Sequence, residues 1–412
     1  MPTKRLLTAN DLCTFQFVSD VQTSPDGDTV LFTVTQSHTN KKKNTYQSHI
    51  WKASTKVGRP TQFTNSTESE SSPRWSPDGS QICFGSGRAG DKDQKRGQIW
   101  LISPDGGEAT QLTHRKHGAG NPRWSPNGKY ILFSGRVPLD PEEDKKKDNE
   151  KSDVVHTTRL SYRHNGSGFT HKYRSHLFII PTRGGKAQQI TSGDWSPGEA
   201  VWSPDGQYIY LTGNKEEDTD RTYTQNLYRI PVKSGRLKKL TSLPGGIGAP
   251  APSPDGKSIV FIGSDLSRSY GTNRRLYRIP RSGGKATCLT AHLDISVEQT
   301  LNIDARWASP SFGPVWSPDC STIKFLATVR GATQLFALNV ATGELETYTD
   351  ADRSIESVSY SADHTTASYT QTTPTHLSEV HLWREGRPEK QLTKFNNTRL
   401  SRLHITAPEH FS

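Results

Sequence analysis

Trp75-Ser76-Pro77-Asp78-Gly79 is the stretch that decides the fold, because it recurs. Close variants stand at Ser24-Pro25-Asp26-Gly27, Trp124-Ser125-Pro126-Asn127-Gly128, Trp202-Ser203-Pro204-Asp205-Gly206, Ser253-Pro254-Asp255-Gly256, Trp316-Ser317-Pro318-Asp319-Cys320 and, in worn form, Tyr360-Ser361-Ala362-Asp363-His364. Proline presets φ at the second position of a tight turn, Asp or Asn bonds its own backbone, and glycine accepts positive φ. Each cassette is therefore the turn of a hairpin.

The flanks repeat as well. Each turn leads into an apolar strand such as Ile131-Leu132-Phe133 or Ile259-Val260-Phe261-Ile262, then a second strand such as Gln98-Ile99-Trp100-Leu101 or Arg275-Leu276-Tyr277-Arg278. A glycine turn then gives a short closing strand that ends in Leu112-Thr113, Ile190-Thr191, Leu240-Thr241 or Leu289-Thr290. With the strand before each cassette, the unit has four strands and occurs seven times. This periodicity predicts an all-β, seven-bladed β-propeller of four-stranded antiparallel blades. The tryptophans ahead of the turns are expected to pack blade on blade. Blades five and six, with Pro252 in place of Trp and Cys320 in place of Gly, are expected to be locally weaker.

Successive cassette serines stand 52, 49, 78, 50, 64 and 44 residues apart. The long intervals place one insertion at residues 137–174 in blade 3, carrying the charge run Glu142 to Asp148, and another around residues 291–312. The predicted organisation is an amino-terminal segment 1–15, a propeller over 16–396 and a terminal stretch 397–412. Departures from a uniform scaffold are where function is expected.

A chain of 412 residues with 31% hydrophobic residues suits thin, solvent-facing sheets. It holds no run of roughly 18 apolar residues, so no membrane span is expected. The start, Met1 to Leu12, turns polar too soon for a secretory signal, which points to the cytoplasm. The four cysteines lack metal-ligand spacing, and His114 and His117 read as solvated loop residues, so no metal or other cofactor is expected. The net charge of +11 is scattered over every repeat, and no recognition module accompanies it, so nucleic acid is not an expected partner. No Gly-x-Ser-x-Gly elbow, P-loop or dinucleotide-binding glycine pattern occurs, so the chain is not expected to perform catalysis.

The repeats resemble the amino-terminal propeller of prolyl oligopeptidase family serine peptidases, in the acylaminoacyl-peptidase and dipeptidyl-peptidase-like branch. The likeness rests on Leu7-Thr8-Ala9-Asn10-Asp11-Leu12 before the first blade, on the cassettes, and on Asp153-Val154-Val155-His156-Thr157-Thr158-Arg159-Leu160-Ser161-Tyr162-Arg163-His164-Asn165-Gly166-Ser167-Gly168-Phe169. TolB-like propellers share the turns without that last stretch. In such peptidases an α/β-hydrolase domain follows the last blade and carries the serine, aspartate and histidine. Here Gln391 to Asn397 is followed by a stretch in which Ala407-Pro408-Glu409-His410-Phe411 resembles the linker into that domain, and the chain stops at Ser412. The resemblance implies a non-catalytic, substrate-gating and docking propeller, truncated before its hydrolase partner, with short peptides as ligands. It makes Arg159, Tyr162 and Arg163 candidates to contact peptide carbonyls or a terminal carboxylate. Two alternatives stay open: these side chains pair with acids of their own insertion, or the chain is a free-standing TolB-like propeller that binds proteins.

Overall fold

The computed structural model describes residues 4–40, 43–88, 96–146, 154–165, 168–233, 235–301, 313–349 and 353–409. Lys147 and Asp148 of the charge run, Asp153, Gly166 and Ser167 of the blade 3 motif, and residues 302–312 of the second insertion lie outside them.

Seven sheets follow one another along the chain and close into a ring. Their limits are Gln16 to Gln62, Glu70 to Gln111, Gly120 to Gln189, Ala200 to Lys239, Ile247 to Cys288, Ser296 to Thr347 and Ser354 to Gln391. Each takes its four strands in chain order from the axis outward. In blade 6 the innermost position is shared by Ser296–Val297 and Val315–Trp316, both paired with Thr322–Val329. The second insertion therefore interrupts an inner strand instead of joining two blades.

The cassette turns follow from local chemistry. In every copy the serine hydroxyl donates to the Asp or Asn two residues on, at 2.5–2.8 Å. The residue in the last cassette position has φ between 62° and 74° in all seven, including Cys320 and His364. Glycine is favoured there because a Cβ in the left-handed region crowds the carbonyl.

Two further bonds repeat around the ring. A threonine just past each closing strand, at 64, 113, 191, 241, 290, 349 and 393, accepts the N–H of the third strand's residue at 50, 99, 177, 227, 276, 335 or 380, at 2.8–3.0 Å. The indole N–H groups of Trp75, Trp124, Trp202 and Trp316 donate to carbonyls of the preceding blade's inner strand, at Gln22, Arg74, Arg123 and Ala251. Blade 1 has Thr23 in the tryptophan position, and its hydroxyl makes the matching bond to Ser359 of blade 7 at 2.8 Å.

Blades 1 and 7 meet without exchanging a strand. Asn396 clamps Gln16 instead: its side chain accepts the Gln16 N–H at 3.0 Å and donates to the Gln16 carbonyl at 2.8 Å. The chain ends reinforce this seam. Arg5 pairs in parallel with Leu403, and Phe15, Phe17, Leu400 and Leu403 form a small buried cluster. The two ends are thus packed on the ring and on each other.

Because the strands alternate in direction, every first strand starts, and every fourth ends, on one face of the ring. The second-to-third hairpins share that face, and the cassettes lie on the other. Both chain ends and the blade 3 insertion therefore sit on the same side. No helix among the described residues is long and apolar enough to cross a membrane.

Candidate functional site

The blade 3 insertion leaves the second strand at Pro138, forms a short helix Pro141–Lys145, and later a two-residue ribbon, Arg163–His164 with Gly168–Phe169, before rejoining the third strand at Tyr173. Asp140 caps the helix by accepting the N–H groups of Glu142 and Glu143 at 2.9 and 3.0 Å.

Its root is tied to the ring through Asp144. Lys116 and His117 meet one Asp144 oxygen at 2.8 and 2.9 Å, and the Tyr173 hydroxyl donates to the other at 2.8 Å. Burial alone would push the Asp144 carboxyl up, but the bonds from Lys116, Tyr173 and His117 outweigh it and hold it at about 2. His117 is therefore not the solvated residue the sequence suggests. Its partner lies 27 positions away, beyond the reach of local reading; His114 is exposed as expected.

The distal part is tied to the next blade. Arg159 Nη2 donates to Asp194 Oδ2 at 2.9 Å and to the Asp194 carbonyl at 3.0 Å. The Leu160 N–H donates to Asp220 at 3.0 Å. Asp194 also receives Arg174 Nε at 2.7 Å. Arg174 is buried, and its Nη1 donates to the carbonyls of Thr170 and Tyr173 at 2.7 and 3.0 Å.

Beneath these ties lies a cavity of about 840 Å³ between blades 3 and 4, lined by Arg136, Arg159, Arg174, His117, Trp195 and Asp220 among others. Of the three residues singled out in the sequence, Arg159 lines it. Tyr162 and Arg163 do not; they stand exposed on the insertion, against Phe169, with the Tyr162 ring 6.3 Å and the Arg163 guanidinium 5.6 Å from its ring centre. All three are on the chain-end face. Arg159 takes its acid from Asp194, in the loop between blades 3 and 4, outside its own insertion. Arg174, Asp194 and Trp195 escaped sequence reading because only the ring brings them under the insertion.

Charged side chains also pair within and beside the blades' strands. Arg74 Nη1 meets both Asp20 oxygens at 2.9 Å, Glu199 accepts the Ala249 N–H at 2.8 Å, and Arg274 lies 2.9 Å from Glu298. No group of three or more metal-ligating side chains occurs among the described residues.

The chain-end face is also the sticky one. Among the described residues, 14 large apolar side chains are exposed, and all but Val57, Tyr130 and Tyr348 belong to the chain ends, the insertion or the second-to-third hairpins on that face. Such clustering marks an interaction surface.

Two family models match the chain: the TolB beta propeller domain over residues 16–160, and the dipeptidyl peptidase IV N-terminal region over residues 150–261. The uncharacterized peptidase YuxL of Bacillus subtilis (strain 168) is 31% identical over 408 residues, which are 98% of this chain and 61% of the relative. In sequence the chain is thus similar to an uncharacterized peptidase and, over residues 150–261, to the dipeptidyl peptidase IV N-terminal region. The chain therefore spans less than two thirds of that curated relative's length. The acylaminoacyl peptidase of Pyrococcus horikoshii superposes with a TM-score of 0.72 at 19% identity, covering 97% of this chain and 56% of that one. The β-propeller domain of the trilobed protease from Pyrococcus furiosus, described as having an open velcro topology, superposes with a TM-score of 0.60 at 18% identity, over 93% of this chain and 99% of that one. At these identities the two structures speak to fold alone.

Proposed function

We propose that this propeller is the substrate-gating and docking module of an acylaminoacyl-peptidase-like serine oligopeptidase. The observation that carries the reading is the convergence of both chain ends, the tied-down insertion, the basic cavity and most of the exposed apolar side chains on one face. An α/β-hydrolase domain seated on that face covers the apolar residues and has the cavity at its edge. The ring then admits short peptides and excludes folded proteins, while the hydrolase supplies the nucleophile.

Combining the purified chain with a separately produced hydrolase domain of a related peptidase tests this. The expected result is restored cleavage of acylated short-peptide substrates but not of a folded protein, whereas the chain alone gives background hydrolysis and takes up no fluorophosphonate. Labelling of the chain alone contradicts the assigned division of labour.

A further inference from the structure

We propose that the chain pairs with a second copy of itself through the cassette face, the basic half of one ring lying on the acidic half of the other. The inference goes beyond the gating reading and does not rest on it, since it concerns the opposite face.

Two sets of turns build this face. In blades 1 and 3 to 7 a backbone bond of 2.9–3.1 Å ties the third-to-fourth turn to the cassette of the same blade, as from Thr182 to Lys129, Val232 to Gln207 and Arg281 to Lys257. Both sets therefore lie together, on the side away from the chain ends.

Charge that is spread over every repeat in the sequence is segregated here. The cassette and third-to-fourth turns of blades 3 to 5 hold eight lysines and arginines against two aspartates, a net charge of +6. Those of blades 6, 7, 1 and 2 hold two basic residues against nine acidic ones, a net charge of −7. Each group of blades is contiguous in the ring, so the face divides into two halves of opposite sign. Several of these charges are exposed and make no ion pair within the chain: among the described residues, Lys186, Arg236 and Lys285 in one half, and Asp105, Glu108 and Glu344 in the other.

An isologous contact requires a surface that complements itself. A two-fold axis lying in the face, from the border of blades 2 and 3 to that of blades 5 and 6, meets this requirement. Blade 3, with Lys186, then meets the blade carrying Asp105 and Glu108. Blade 5, with Lys285, meets the blade carrying Glu344, and blade 4, with Arg236, meets blades 7 and 1. Every such contact occurs twice.

The net charge of +11 keeps copies apart at a distance. At 0.1 M salt, however, the screening length is about 10 Å, so the charges on facing turns decide the encounter. Among the described residues only Val57, Tyr130 and Tyr348 are large exposed apolar side chains off the chain-end face. The pairing therefore rests on charge and is sensitive to salt. A nucleic acid or an anionic membrane laid on this face is attracted by one half and repelled by the other, whereas a second copy satisfies both.

Sedimentation velocity of the full chain at up to about 100 μM tests this. Wild type is expected to dimerise in 0.1 M salt, with association falling about tenfold or more in 0.5 M salt. Lys186→Glu/Arg236→Glu/Lys285→Glu makes the whole face acidic, and Glu108→Lys/Glu344→Lys/Glu385→Lys makes it basic; the positions are exposed turns, so melting near the wild-type temperature is expected of both. Each variant alone is expected to be monomeric, and an equimolar mixture to form a heterodimer. A wild type that stays monomeric, variants that dimerise as it does, or a mixture that fails to associate overturns the inference. So does a monomeric chain that binds anionic-lipid vesicles, which would give the basic half to a membrane. None of these results bears on a hydrolase domain seated on the chain-end face, so the docking reading stands or falls separately.

Discussion

Replacing Thr113 with valine removes one copy of the bond that repeats in every blade, with almost no change in shape. Thr113 is 1% exposed. Its hydroxyl accepts the Ile99 N–H at 2.9 Å and donates to Gln98 at 2.8 Å. The Gln98 oxygen keeps a second donor, the Arg115 N–H at 3.1 Å, so the main loss falls on a buried backbone N–H with nothing to replace its acceptor. An orphaned buried donor costs about 1–3 kcal/mol. With an unfolding entropy of about 2.1 cal/mol/K per residue, the 412-residue chain should melt about 1–3 °C lower. Thr113→Ser keeps the hydroxyl and gives up one methyl, worth about 0.8 kcal/mol. Urea unfolding of both variants, with amide exchange at Ile99, measures the difference. If Thr113→Val unfolds within about 0.5 kcal/mol of wild type, or if the serine variant is the weaker of the two, the threonine is a packing residue and the reasoning fails.

Cys320→Gly should raise stability by about 1 kcal/mol in urea unfolding, because φ is 63° at that cassette position and glycine carries no Cβ penalty there. Asn396→Ala removes both bonds to Gln16 and should open the seam between blades 1 and 7, seen as faster proteolysis near the chain ends and a loss of about 1–3 kcal/mol. Hydrogen bonds from the cassette serines hold Asp26, Asp78, Asp255, Asp319 and Asp363 below the usual carboxylate range, with Asp319 at about 2. Their folded values lie below their unfolded ones, so the stability they confer is full above about pH 4 and is lost as pH falls toward 2; acid melts that show no decline in that window contradict it.

Much of the ring was legible because its instructions are local. Ser-Pro-Asp-Gly is a turn whatever surrounds it, and the closing Leu-Thr or Ile-Thr pairs marked strand ends whose threonines all prove to make the same bond. The tryptophan positions were legible for the same reason, whereas Thr23 doing the equivalent duty at the blade 1 and 7 seam was not, since a threonine in a strand carries no such signal. The site was legible only in part. Arg159 was found through the insertion motif, but Arg174 reads as an ordinary strand residue and Asp194 as a loop acid until the fold brings them to 2.7 Å. The terminal segments read as appendages; the parallel pairing of Arg5 with Leu403 joins residues nearly the whole chain apart.

Hydrogen exchange of the full chain with and without an added hydrolase domain reads out docking on this face. New protection is expected on the chain-end face, at Leu6 to Leu12 and Leu160 to Phe169, with the cassette turns unchanged. Protection confined to the cassette face, or no protection at micromolar concentrations of both partners, would contradict it.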